Sequence, residues 1–240
     1  MQHTIPVSAT FTLFKYFNVV PSFNYTERWY TRKVAQSYDP TATGSVRKDT
    51  INGFNRDYNY NLSLQVNSKL YGFFKPWKMF GDKVQMIRHV FTPSVSFSYA
   101  PDFGEARYGY YDTYTYTDEK GEVRTVEYSP YQGMAFGVPG KGMQKSFNFA
   151  IDNNVEMKIK SDKDTTGEKK ISLIDQLSAN MSYNAAAQTR PWSDLSMNLR
   201  LKLTKSYTFN MNASFATYAY QYDERGNIIV GDRTEWSYGR

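Results

Sequence analysis

The chain is 240 residues long, carries a formal net charge of +6 and contains 40% hydrophobic and 17% aromatic residues. Because it has no cysteine, disulfides and cysteine-based metal sites or nucleophiles are excluded. No apolar run reaches the roughly 18 residues of a membrane-spanning helix. The mean hydropathy of −0.63 indicates a soluble protein, but transmembrane β-strands are apolar only at alternate residues and escape that measure.

The first fifty residues predict a hairpin followed by a long loop. Residues 4–14 alternate apolar and polar side chains, as do residues 17–25, and Lys15 and Tyr16 are predicted as the tight turn between them. Side chains of a strand point to opposite faces in turn, so each strand has one apolar and one polar face. The alternation is lost over residues 27–53, which predicts a loop.

Two further strands are predicted over residues 58–70 and from Phe91 to Tyr99. The second is the most regular, and its pattern is about as long as the roughly 9–11 residues that a tilted strand needs to cross a bilayer. Its polar face is small and uncharged, which suits a wall that lines a wet lumen. Pro93 has no N–H to donate, so it predicts a local break in pairing or a bulge.

The second half of the chain repeats this pattern after its longest irregular region, residues 101–145. Within that region, residues 110–116 and 123–128 predict a hairpin that stands above the main sheet. The remaining strands are predicted over residues 147–160, 177–185, 195–203 and 207–220, with turns at 161–168 and 205–206, a loop at 185–192 and another hairpin from Asp223.

About eight long strands with short connections at one end and long ones at the other predict an all-β, antiparallel, up-and-down transmembrane β-barrel segment. The short turns would be periplasmic and the long loops extracellular. Aromatic enrichment, with 21 Tyr and 16 Phe, fits girdles at the two membrane interfaces. The soluble alternative is a β-sandwich, but its strands usually run about 5–6 residues, and it does not segregate loop lengths.

The apolar positions of the predicted strands are expected to face lipid, among them Leu64, Phe97, Phe149 and Leu199. No signal peptide begins at Met1, and the chain stops inside a hairpin rather than on an aromatic residue that closes a strand. We therefore expect residues 1–240 to be a single domain that is the internal portion of a larger outer-membrane barrel.

Enzyme chemistry is not expected. His3 and His89 are the only histidines, and His89 shares the parity of Phe91, which predicts a packing residue at the membrane interface. Neither a cofactor nor a metal ion is predicted. Basic residues interleaved with tyrosines could suggest nucleic-acid stacking, but interfacial aromatic residues explain them more simply, so no nucleic-acid partner is expected.

Several stretches in residues 3–103 are similar to one family. They resemble the barrel of LptD, the lipopolysaccharide-assembly protein of Gram-negative outer membranes, and they are Ile87–Phe103, Lys69–Pro76, Phe80–Lys83, His3–Val7 and Pro21–Tyr30. The remainder of the chain is similar only in architecture. In that family a periplasmic jelly roll precedes a large barrel plugged by a lipoprotein, and lipopolysaccharide leaves through a lateral seam.

The resemblance implies an outer-membrane barrel wall that inserts lipopolysaccharide into the outer leaflet. Its implied partners are lipopolysaccharide, outer-membrane lipid, a plug lipoprotein and periplasmic bridge proteins. A porin-like or nutrient-uptake barrel and a protein-secretion barrel remain open alternatives, because their walls would look the same.

An anionic amphiphile that crosses a polar lumen would need transient cationic contacts. The candidate cargo contacts are Lys158, Lys160, Arg200 and Lys202, which share the polar faces of two predicted strands. The alternative is that they balance the charge of Asp152 and Glu156.

Overall fold

The computed structural model describes residues 1–42, 45–75, 83–160, 167–204 and 206–239. The chain is almost wholly β, with short 3-10 turns at Ala106–Tyr108 and Glu235–Tyr238. No helix in these ranges is long and apolar enough to span a membrane. The strands are β1 Gln2–Ser8, β2 Phe11–Leu13, β3 Phe17–Tyr38, β4 Val46–Ser68, β5 Leu70–Phe74, β6 Val84–Ala100, β7 Asp112–Thr117, β8 Val123–Tyr128, β9 Gln144–Lys160, β10 Glu168–Asn184, β11 Leu195–Lys202, β12 Thr208–Phe215, β13 Tyr218–Tyr222 and β14 Ile228–Thr234.

Most strands join one large sheet in the order β1-β3-β4-β6-β9-β10-β11-β12, with β2 also pairing with β3 and β5 with β6. The registers of the pairs β1–β3, β9–β10, β10–β11 and β11–β12 are antiparallel. Two small sheets, β7–β8 and β13–β14, are separate from it. The prediction of an all-β antiparallel fold is confirmed, and so are the hairpins at 110–128 and from Asp223.

The predicted loop at residues 27–53 is wrong, because β3 continues to Tyr38 and β4 already begins at Val46. Two of the charged residues that hid the alternation, Glu27 and Arg28, are paired across the two strands. Arg28 donates to the fully buried Asp57, with 3.1 Å between Nη1 and Oδ1. On the opposite parity Trp29 packs edge-on against Phe54.

Two predicted strands are interrupted. The first strand, predicted over 4–14, breaks after Ser8, where the Ala9 N–H donates to the Pro21 carbonyl. The predicted tight turn is present at residues 14–16, one residue longer than expected, and its left-handed residues are Phe14 and Lys15, at φ 51° and 67°. The strand predicted over 207–220 breaks after Phe215, since Thr217 bonds to the loop before β11.

Other boundaries shift without changing the element. β10 begins at Glu168 rather than at residue 177, and β6 begins at Val84 and ends at Ala100. Pro93 lies inside β6, within an unbroken run of strand residues. The predicted turns at 161–168 and 205–206 and the connection at 75–86 fall largely outside the described residues.

The chain divides into two compact units, and β3, β4, β6 and β9 contribute residues to both. Unit 1 comprises residues 1–8, 22–63 and 98–144, and unit 2 comprises residues 9–21, 64–97 and 145–240. The core of unit 1 is a cluster of the buried rings Tyr30, Phe103, Tyr110 and Tyr131. Three of these four belong to residues 101–143, the cap, which folds onto β3 and β4.

The cap is fixed to the sheet by tyrosine hydroxyls. The Tyr58 N–H donates to the Tyr110 hydroxyl at 2.7 Å, and that hydroxyl donates to the Tyr58 carbonyl at 2.9 Å. The Tyr110 hydroxyl therefore makes with Tyr58 the two kinds of hydrogen bond, one accepted and one donated, that a neighbouring strand makes. The Tyr30 hydroxyl donates to the Gly137 carbonyl at 2.9 Å.

Asp102 closes the base of the cap. One of its carboxylate oxygens accepts from the N–H groups of Gly104 and Gly142, at 2.7 and 2.8 Å. These two hydrogen bonds hold the pKa of the Asp102 carboxyl below its ordinary value, and the bond from Gly142 has the larger effect. The two ends of the cap are thus tied together by one side chain.

In unit 2 the two faces of the sheet differ in composition. Leu199 faces Leu177 on β10 and Met211 on β12, whereas its neighbour Asn198 faces Ser178 and Asn212. Leu199 and Leu177 are half-buried, and other apolar side chains of this unit are more exposed. Exposed apolar side chains of unit 2 include Leu64, Val95, Phe149, Ile151, Phe209, Met211 and Phe215, each at least 40% exposed.

Tyr110→Phe should loosen the cap, because it leaves a buried peptide N–H and a carbonyl of Tyr58 unpaired, at about 1–3 kcal/mol each. We expect the Tyr58 amide to exchange with solvent at least about tenfold faster. Hydrogen exchange followed by mass spectrometry measures this. Tyr220→Phe is the control, since Tyr220 is 63% exposed; equal exchange in both variants would contradict the assigned role of Tyr110.

Candidate functional site

A polar cleft of about 360 Å³ lies in unit 2 on the face opposite the exposed apolar side chains. Strands β5, β6, β9, β10 and β11 supply its walls. Its charged and amide side chains are Lys69, Arg88, Asp152, Asn154, Asp175, Gln176 and Arg200. Acids, bases and amides alternate within it, as in a wall that contacts water or a polar solute.

The cleft forms where β10 carries extra residues relative to β9. The register shifts between Ser172 and Ile174 and again between Ile174 and Leu177. Such β-bulges re-aim side chains. Here Ile174 stays opposite Val155, while the next residue, Asp175, contributes to the polar cleft.

Two asparagines of β9 donate side-chain hydrogen bonds to backbone carbonyls of β10 at the bulges. The Asn154 amide donates to the carbonyls of Ile174 and Asp175, at 3.3 and 2.8 Å. The Asn153 amide donates to the Leu177 carbonyl at 3.3 Å. Side-chain amides thus add hydrogen bonds to the backbone where the register shifts.

Ion pairs fill the cleft. Arg200 donates to Asp175 with 2.5 Å between Nε and Oδ2, and Gln176 donates to Asp152 at 3.1 Å. Arg88 donates to Glu156, also at 2.5 Å. The paired side chains remain about 29–49% exposed. Exposed pairs contribute only about 0–1 kcal/mol each, so a charged solute could exchange with them.

The four predicted contact residues lie on two strands that flank β10. Lys158 forms an ion pair with Glu168, and Lys160 faces Glu168 across the strands. Arg200 lies in the polar cleft, and Lys202 lines a second pocket of about 490 Å³. The structure therefore does not gather the four into one cluster.

Lys170 is a neighbour that the sequence reasoning missed. It faces Lys158 from β10 and lines the second pocket together with Lys202. Neither Lys170 nor Lys202 forms an ion pair with a carboxylate in the described ranges. The signal was present in the sequence, because Lys170 alternates with Ile171, but β10 was predicted to begin later.

His89 contacts an amide side chain and an aromatic ring. Its Nε2 is 2.9 Å from the Asn153 Oδ1, and its ring lies 6.4 Å from that of Phe91. Within the described part of the chain, no group of three or more His, Asp or Glu side chains could hold a metal ion. His89 and Asn153 instead form a polar pair beside the second bulge.

Asn154→Ala should destabilise the sheet at the bulge, because the carbonyls of Ile174 and Asp175 lose their donor. The expected loss is about 1–3 kcal/mol in the free energy of unfolding, measured by denaturant titration of the folded protein. The matched control is Asn148→Ala, on the same parity of the same strand and opposite Ser182. If the two substitutions cost the same, Asn154 does not support the bulge.

Comparison with known proteins gives one family match. The family model described as LptD protein matches residues 1–218 of the 240. No curated protein and no solved structure is significantly similar to the chain. The match extends over all strands of the large sheet, so it includes the polar cleft as well as the stretches that first suggested the likeness. The chain belongs to the LptD family.

Proposed function

We propose that this chain is a wall segment of an outer-membrane barrel that moves lipopolysaccharide to the outer leaflet. Family membership associates it with lipopolysaccharide transport and assembly. It acts by binding and guiding its cargo, without catalysis. Its location is the bacterial outer membrane, and its further partners are membrane lipid, a plug lipoprotein and periplasmic bridge proteins.

The observation that carries the proposal is the two-faced character of very long strands. β3 and β4 contain 22 and 23 residues, and β6, β9 and β10 contain 17 each. Each exceeds the roughly 9–11 residues that cross a bilayer. Soluble proteins rarely expose large apolar patches, so a bilayer is the environment that suits the exposed side chains of unit 2.

The edges of the large sheet support the further proposal that residues 1–240 are one domain inside a larger barrel. β1 and β12 stand at the two ends of the strand order. In hydrocarbon an unpaired backbone group costs several kcal/mol. Edge strands in a membrane therefore require neighbours, which further strands of the same barrel would supply.

The cargo contacts follow from the charges on the polar face. Lipopolysaccharide carries anionic groups, and transient contact needs cations that are accessible and weakly held. Lys202 and Lys170 meet this requirement directly, while Arg200 and Lys158 meet it by exchanging a half-exposed carboxylate for the cargo. Lys160 continues the same face of β9. We assign Lys158, Lys160, Lys170, Arg200 and Lys202 to this role.

Leu199→Arg tests which face meets lipid. Near the bilayer midplane it should cost about 2–4 kcal/mol, whereas Asn198→Arg, one residue away on the other face, should cost little. Folding titrations of the full-length protein in lipid vesicles measure both. Equal costs would show that the apolar face does not contact hydrocarbon.

Photo-crosslinking in growing cells tests the transport role. A photoreactive residue at position 158, 200 or 202 of the intact protein should crosslink to lipopolysaccharide, and one at position 199 should not. Crosslinks to a plug protein alone, or none, would leave Lys158 and Arg200 as charge balance for Glu168 and Asp175. Ion conductance by the purified protein without lipopolysaccharide crosslinks would instead indicate a porin.

A further inference from the structure

A further groove, of about 470 Å³, lies in unit 1 between the hairpin β7–β8 and the residues where β3 ends and β4 begins. We call it the tyrosine groove. Its lining combines aromatic, hydroxyl and carboxylate side chains, and those used below are Tyr38, Tyr114, Tyr116, Thr117, Asp118 and Glu119. The polar cleft of unit 2 shares none of these residues.

The aromatic wall is held in place. Tyr38 stacks on Tyr116, with 5.1 Å between ring centroids and 21° between ring planes. Tyr114 lies two residues before Tyr116, on the same face of β7, and is opposite Val126 of β8. Rings that are already packed lose little further freedom when a ligand arrives, which favours binding.

The rim of the groove is also ordered. The Asp118 carboxylate accepts from the N–H groups of Lys120 and Glu122, at 3.0 and 2.9 Å, and from Arg124 at 2.9 Å. The Asp118 carboxylate therefore stabilises the turn through both of its oxygens. Glu119 is exposed and has no hydrogen-bond partner among the residues that the structure describes, so its carboxylate is free to accept from a ligand.

These features select the ligand class. Arg124 is paired with both Asp118 and Glu122, and none of the described residues that line the groove is a cation that an anionic ligand could use. A quaternary ammonium ion prefers several ring faces directed at one point. Tyr38 and Tyr116 stack on each other, so they cannot both turn their inner faces toward one cation. A pyranose ring fits better, because its C–H face carries partial positive charge that suits the negative face of an aromatic ring. Its hydroxyls can donate to Glu119 and to tyrosine and threonine hydroxyls.

We propose that the tyrosine groove binds a neutral saccharide, with its ring against the tyrosines and its hydroxyls bonded to Glu119 and the groove hydroxyls. This site is separate from the proposed transport role and does not depend on it. Tyr116 is its central contact, since it both stacks on Tyr38 and lines the groove.

The test is saturation-transfer NMR on the full-length protein in a polyoxyethylene detergent, which has no sugar headgroup. The probes are neutral trisaccharides built from hexose, N-acetylhexosamine or 6-deoxyhexose units. We expect at least one to bind, with Tyr116→Ala weakening it about tenfold or more through loss of the aromatic contact. Tyr222→Ala is the control, since Tyr222 is 74% exposed and lies in the separate β13–β14 sheet.

Glu119→Gln separates binding from folding, because it removes the charge of an exposed side chain and leaves the Asp118 turn intact. We expect it to weaken the same saccharide, while the amide of Glu122, bonded to Asp118, keeps its slow exchange. No transfer to any trisaccharide would overturn the proposal. So would affinity that is unchanged in Tyr116→Ala, or binding of tetramethylammonium in place of the sugars.

Discussion

Hydrogen-bond pairing of the backbone is the constraint on which this structure depends. Each peptide unit of a strand must find a partner, and in a long sheet nearly all find one on the adjacent strand. Side chains also bond to the backbone at a few points in this structure. Tyr110 takes both backbone groups of Tyr58 in unit 1, and Asn153 and Asn154 take the carbonyls at the β10 bulges in unit 2. A few polar side chains thus decide where pairing may be interrupted.

The bulges of β10 lie next to the polar cleft, and the cap forms part of the tyrosine groove. In unit 2 the bulge brings Asp175 to Arg200 and so sets the charge of the polar cleft. In unit 1 the cap contributes Tyr116, whose ring packs on Tyr38 to form one wall of a groove. Regular pairing by itself would give only an alternating wall.

Alternation was enough to predict the fold class and most strands, because a two-faced strand displays its period in one segment of sequence. It failed over residues 27–53, where charged side chains occupy inner positions and are satisfied by partners on the other strand, as Arg28 is by Asp57. No single strand contains that information. The start of β10 was missed for a related reason, since two bulges shift its parity between Ser172 and Leu177.

The candidate site was predictable only in outline. Lys158, Lys160, Arg200 and Lys202 were placed on the polar faces of their strands by parity, but parity does not show which carboxylate each one meets. The partners Glu168 and Asp175 come from β10, the strand whose start was misplaced, and so does Lys170. Cross-strand register, which depends on turns and bulges, determines these contacts.

The bulges in β10 also change its length relative to its neighbour. From Ile171 to Leu177 the strand advances six residues, while β9 advances four, from Met157 to Asn153. At about 3.3 Å per residue the excess is about 6.6 Å, which the strand must take up by bending and extra twist. Removing those two extra residues would straighten β10 and change which side chains between Ser172 and Leu177 reach the cleft. The bend of β10 and the position of Asp175 in the cleft therefore depend on the same extra residues. An insertion or deletion there would change both.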